Sequence, residues 1–143
     1  MRHATLALLL VACGSDPVAP LRPDSGATDA NLASLSCAEE EGVRRRVFER
    51  YCGDADCHDA DRPEAGMDLV TPGVTERLSN RNSVIEGCEE RVIVVPGVAR
   101  ASFMLDKVLA TQGGCGDPMP LEGDLPLEGR RCLVEWIDAL EAP

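Results

Sequence analysis

Seven cysteines fall within 143 residues, and the fate of those thiols limits this chain more than any other feature. Cys13, Cys37, Cys52, Cys57, Cys88, Cys115 and Cys132 are too many for a reducing cytosol unless they serve a metal or a redox group. An oxidising compartment is therefore expected. The length suits one domain, and a hydrophobic content of 44% excludes a disordered tail. The aromatics are only Phe48, Tyr51, Phe103 and Trp136. A net charge of −11 and a lone lysine, Lys107, argue against nucleic-acid binding, which needs clustered cations to meet phosphates.

The first cysteine ends an export signal. Arg2 and His3 precede an apolar run from Ala4 to Ala12, too short to span a bilayer but of signal-peptide length. The run closes as Leu10-Val11-Ala12-Cys13, which resembles the lipobox of bacterial lipoproteins, so residues 1–12 are expected to be removed and Cys13 to carry lipid. Lipidation would place the protein on a membrane surface. The segment 14–36 contains Pro17, Pro20 and Pro23 without apolar periodicity. It reads as a tether spanning roughly 25 to 30 Å. Gly14 after the lipid site resembles an outer-membrane address, which implies a protein facing the periplasm or the cell surface. Loss of Arg2 with the signal leaves the remainder still more acidic, unsuited to lying flat on anionic lipid.

The folded unit is expected over 37–143. Val43, Val47, Phe48 and Tyr51 share a face at helical spacing, which predicts a helix from about Ala38 to Tyr51. Glu40 with Arg44, and Glu41 with Arg45, form i,i+4 pairs of favourable order. Residues 61–73 read as loop, Val74 to Leu78 as a short helical turn, and Val92 to Val95 as an extended run without a partner strand. Ser102 is placed to cap a helix carrying Phe103, Met104, Leu105, Val108 and Leu109, ending at Gly113-Gly114. Leu133, Trp136, Ile137 and Leu140 define the clearest amphipathic helix. Three main helices joined by long loops make an all-α chain with too little of its own bulk to fill a core.

Cys52-Gly53-Asp54-Ala55-Asp56-Cys57-His58 is the informative stretch. Attachment of a c-type haem requires two thiols, which add across the vinyl groups, and an adjacent imidazole as axial ligand to the iron. The common spacing between the thiols is two residues; here it is four. A distal ligand is offered by Cys115-Gly116-Asp117-Pro118-Met119-Pro120, where flanking prolines restrict the backbone around Met119. Met67 and Met104 compete with it, the first as loop packing and the second as core. With Cys13 lipidated and Cys52 and Cys57 on haem, four cysteines remain for two disulfides, with three possible connectivities.

The order of these features resembles the small cytochrome c-like domains of bacterial surface lipoproteins, including the planctomycete cytochrome c group. The residues that carry the resemblance are Cys52-x4-Cys57-His58, Gly66-Met67-Asp68-Leu69, Val94-Val95-Pro96-Gly97, the Ser102 helix with Lys107, Cys115-Gly116 before Met119-Pro120, and Trp136-Ile137. They cover about Val43 to Leu140. The resemblance implies an all-helical class I cytochrome c fold with first and last helices crossed over one haem. Cys52 and Cys57 then match the attachment thiols, His58 the proximal ligand and Met119 the distal one. It also implies pairing of Cys37 with Cys132 and of Cys88 with Cys115.

The expected function is one-electron transfer on a His58/Met119-ligated haem iron, without substrate turnover, since no Ser-His-Asp set is available. A thioether ligand raises the potential, whereas Asp54, Asp56 and Asp59 lower it. An acidic surface calls for a redox partner with a basic docking face, in an encounter weakened by salt. The alternative is a haem-free, disulfide-stapled binding module in which Cys52 pairs with Cys57. Zinc on Cys52, Cys57 and His58 lacks an evident fourth ligand, and the aspartates around Cys57 break the register a calcium loop needs.

Overall fold

The computed structural model describes residues 29–142; Cys13, the signal segment and most of the tether lie outside them. The order is α1 (Asp29–Ala33), α2 (Glu40–Val43), a π-helical stretch (Arg44–Phe48), α3 (Glu49–Tyr51), α4 (Val74–Leu78), α5 (Phe103–Val108) and α6 (Leu127–Ala139), with 3-10 turns at Glu64–Gly66 and Ala99–Ala101. The described residues are helix-rich and contain no strand. Isolated bridges join Ser79 with Val94 and Asn82 with Val92, so the run from Val92 to Val95 is extended but belongs to no sheet.

From α2 to α3 the backbone is continuously helical, as the spacing of Val43, Val47 and Phe48 predicts, but it begins at Glu40 and is π-wound in the middle. Residues 14–36 were expected to be tether throughout, yet α1 occupies part of that segment and Arg46 donates to the Leu35 carbonyl at 3.0 Å. Gly42 has a packing reason rather than a weakening effect. A Cβ there would stand 1.8 Å from the Ser36 carbonyl oxygen, so only glycine lets the incoming chain cross α2.

The core joins this first helical segment to α6. Val43, Val47, Phe48, Leu133, Trp136 and Ile137 are buried together, and Phe48 meets Trp136 edge-to-face at 5.5 Å between ring centroids. A disulfide between Cys37 and Cys132 ties the start of the unit to α6 across 95 residues, and a second joins Cys88 to Cys115 across 27. Of the three connectivities open to these four cysteines, this is the one the resemblance implies.

Three local expectations change. Glu40 does not pair with Arg44: its carboxylate accepts from the backbone N–H groups of Gly73 at 2.5 Å and Thr75 at 2.9 Å, capping α4 from a distant part of the chain. Arg44 pairs instead with Glu41 and Glu49, while the expected Glu41 with Arg45 pair forms at 3.6 Å. Ser102 stands before α5 but does not cap it. Its hydroxyl accepts from Val95 N–H at 2.9 Å and donates to the Val98 carbonyl at 3.2 Å. Finally, α5 stops at Val108 rather than near Gly113. Ala110 adopts φ 56°, and Ala110 and Thr111 N–H bond back to the Lys107 and Asp106 carbonyls, the paired closure of a Schellman motif without its usual glycine.

Candidate functional site

The helices and loops enclose an apolar cavity of about 130 Å³, smaller than the roughly 300 to 1,000 Å³ of most small-molecule and cofactor sites. Its floor comes from Phe48, Leu69, Ile93, Phe103, Val108 and Leu133, side chains that also belong to or border the core. Cys52, His58, Met67, Met104 and Met119 all reach its wall, and so do two cations, Arg81 and Lys107. Val84, which is 61% exposed, stands at the mouth.

His58 is fixed from three directions. Its N–H donates to the Cys52 carbonyl at 3.0 Å, and its own carbonyl accepts from Leu69 N–H at 3.0 Å. Its ring Nδ1 lies 3.1 Å from the Met67 carbonyl oxygen. A carbonyl only accepts, so Nδ1 carries the proton and the lone pair resides on Nε2. An imidazole anchored by one N–H to a backbone carbonyl is the usual arrangement of a metal-ligating histidine. The carbonyl of Met67 is itself positioned by its loop: Arg81 donates to the neighbouring Gly66 and Ala65 carbonyls at 3.1 and 3.4 Å.

The part of the lining that holds Met119 is built differently. Met119 N–H donates to the Lys107 carbonyl at 2.9 Å, while the Lys107 ammonium donates to the carbonyls of Cys115 and Asp117, both at 2.7 Å. Burial lowers the Lys107 pKa, against a smaller upward pull from Asp117. Gly116 turns at φ 68°, where a Cβ would come 3.0 Å from Lys107 Nζ. With the Cys88–Cys115 disulfide just ahead, the Met119 loop is stapled to α5 and to the segment before it.

The structure thus brings Cys52, His58 and Met119 to one cavity. Met67 and Met104 line it as well, so the competing methionines share the wall. Cys57 is half-buried and does not line the cavity. Burial, with smaller contributions from Cys57 and Asp54, pushes the Cys52 thiol up to about 12. Neither the Cys37–Cys132 nor the Cys88–Cys115 disulfide includes Cys52 or Cys57. Among the described residues there is no group of three or more His, Cys, Asp or Glu side chains that could hold a metal ion. Two site residues carried no assigned role in the sequence, Lys107 and Arg81. A sole lysine in an acidic chain was the available signal for the first; Arg81 had none.

No protein-family model, curated protein or solved structure matches this chain. No described helix is long and apolar enough to cross a membrane.

Proposed function

We propose that this chain is a lipid-anchored electron-transfer protein carrying one haem c in the cavity, with a class I cytochrome c-like fold. The observation that carries the reading is the lining itself: His58 and Met119 border one apolar cavity, and the His58 ring is already oriented by the Met67 carbonyl with Nε2 left to ligate. His58 and Met119 would hold the iron, and the Cys52–His58 turn would hold the porphyrin covalently. Bound there, the group supplies one-electron cycling between ferrous and ferric iron.

The chain's own residues supply the rest. Apolar walls exclude water and so favour the less charged state. Arg81 and Lys107 border an almost wholly apolar lining while their charged heads are bonded to the Gly66, Ala65, Cys115 and Asp117 carbonyls, so the lining suits a ligand with a large apolar body. Cys13 would carry the lipid, the segment after it would hold the domain off the bilayer, and the acidic surface would steer a partner with a basic face. The protein turns over no substrate in this reading.

The test is purification of the full chain from a host with cytochrome c maturation machinery. A red protein that keeps its haem through acid-acetone extraction is expected, and Met119→Ala should abolish the near-infrared band of methionine-to-iron ligation. A colourless product made under those conditions would overturn the reading. Loss of the band in Met67→Ala or Met104→Ala instead would reassign the distal ligand.

A further inference from the structure

Resting on the lipid-anchored part of that reading, we infer that a cleft beside α1 binds the phosphate of an anionic lipid headgroup and so seats the domain on the bilayer. The cleft measures about 350 Å³, inside the roughly 300 to 1,000 Å³ range of small-molecule sites. Leu32 and Ala33 of α1 line it, with Arg46, Arg50 and Tyr51 from the first helical segment and Glu128 from α6. Val47 and Cys132 line it as well, whereas their neighbours Phe48 and Leu133 line the first cavity. The same two helical segments therefore stand between the two spaces, and an occupant of the cleft leaves the His58 site untouched.

The arginines select the ligand. Of those between 44 and 50, Arg44 and Arg45 pair with Glu41 and Glu49. Arg46 and Arg50 stand four apart on one helical face and have other contacts: Arg46 donates to the Leu35 carbonyl at 3.0 Å, and the Arg50 guanidinium lies 5.8 Å from the centre of the Tyr51 ring. A guanidinium carries five N–H donors in a fork that matches phosphate oxygens, and one carbonyl and one ring contact use few of them. Glu128 is exposed, a single anion against two cations. The rim suits the headgroup boundary. Tyr51 is exposed there, and Leu127, between the lining residues Pro126 and Glu128, is 63% exposed; amphipathic and apolar side chains of this kind settle at a lipid interface.

The tether decides the source of the phosphate. Residues 14–28 lie between Cys13 and α1, and a segment of that length spans at most ~50 Å in any conformation. A lipid on Cys13 thus delivers the α1 end of the domain, with the cleft beside it, to the membrane surface. A site tethered in this way works at a roughly millimolar effective concentration, at which two arginines of modest affinity are enough. The net negative charge of the chain opposes this only weakly, because acids farther off than a Debye length, about 8 Å at physiological salt, are screened. The domain accordingly meets the bilayer at one cleft rather than lying flat.

The full lipidated chain is reconstituted into vesicles of phosphatidylcholine alone and of phosphatidylcholine mixed with phosphatidylglycerol, and amide exchange is followed by mass spectrometry. Exchange over residues 29–36 and 46–52 is expected to slow several-fold in the mixed vesicles. Arg50→Gln should lose that slowing. Arg62→Gln, which removes the same charge from an exposed ion pair with Asp56 outside the cleft, should keep it. Equal exchange in the two kinds of vesicle, or the same loss in both variants, overturns the inference while leaving the anchor reading intact. Slowing on phosphatidylcholine vesicles once free glycerol phosphate is added assigns the cleft to a soluble phosphate and overturns the lipid source. An intact mass without acyl groups on Cys13 overturns the anchor reading first, and this inference with it. The wild-type comparison is decisive even where a variant fails to fold.

Discussion

The two walls of the cavity are held by different chemistry. On the His58 side, residues 65–75 are fastened by charged side chains reaching backbone atoms. Arg81 holds Ala65 and Gly66, Asp68 accepts from Val70 and Thr71 N–H at 2.9 and 3.0 Å, Arg77 donates to Pro72 at 2.8 Å, and Glu40 caps Gly73 and Thr75. No disulfide enters this segment. On the Met119 side a disulfide and one lysine do the fastening. The first wall depends on the ionisation of carboxylates, the second on the oxidation of two sulfurs, so the walls should fail under different conditions.

The largest separation between them should come from the covalent link. Closing 27 residues restricts the unfolded chain by an amount worth about 3.5 kcal/mol in the loop-entropy account. Cys88→Ser with Cys115→Ser is expected to cost about that in urea unfolding. Amide exchange should accelerate at Gly116 and Met119 well before it does at Leu69 or Thr75. Equal loosening of both walls would show that they are one cooperative unit and end the comparison.

A smaller effect is expected at Lys107, whose ammonium bridges the carbonyls of Cys115 and Asp117. Lys107→Met keeps the stem that lines the cavity and removes only the charged head. Charged hydrogen bonds contribute roughly 1.5 to 3 kcal/mol when protected from water. One of these is exposed, so a loss of about 1 kcal/mol is expected. Combining the substitution with removal of the disulfide should give less than the sum, since both hold the same loop. Strict additivity would place Lys107 outside that unit.

What the sequence made legible was local. The period of Val43, Val47 and Phe48, the turn Val74 to Leu78 and the stripe Leu133, Trp136, Ile137 all lie in helices, because amphipathic spacing records burial along a single element. The cysteine pairings followed from a resemblance in the order of motifs, and spacing alone left three open. What stayed hidden were choices among distant partners. Glu40 has a ready intrahelical mate in Arg44, yet capping α4 satisfies two N–H groups at once. Ser102 sits at a helix start, yet the nearby Val95 N–H and Val98 carbonyl claim its hydroxyl. The end of α5 falls on Ala110, a residue whose type gives no sign of a positive φ. In the candidate site, His58 and Met119 were readable as chemistry, but their spacing in the sequence could not show that they would border one cavity together with Cys52, Met67 and Met104.

The smallest effect belongs to the His58 wall and sharpens the contrast through pH. Burial alone would raise the Glu40 pKa, but hydrogen bonds from Thr75, Gly73 and Val74 win and hold it below the usual glutamate value. Asp68 behaves likewise: desolvation opposes, while bonds from Thr71 and Val70 and the charge of Arg77 lower it. A carboxylate depressed in the folded state stabilises fully above its unfolded pKa, and that contribution is lost as pH falls through the folded value. Glu40→Gln keeps one acceptor but turns an amide N–H toward the second donor, so a loss of about 1 kcal/mol at neutral pH is expected, as for a lost helix cap. The wild-type and variant proteins, followed by thermal unfolding from neutral pH into acid, should converge as Glu40 protonates. Asp68 leaves the variant with some acid sensitivity of its own. Reductant should not alter that convergence, because no disulfide touches this wall. A gap that stays constant into acid would show that Glu40 acts by shape rather than charge, and would remove the acid half of the distinction between the two walls.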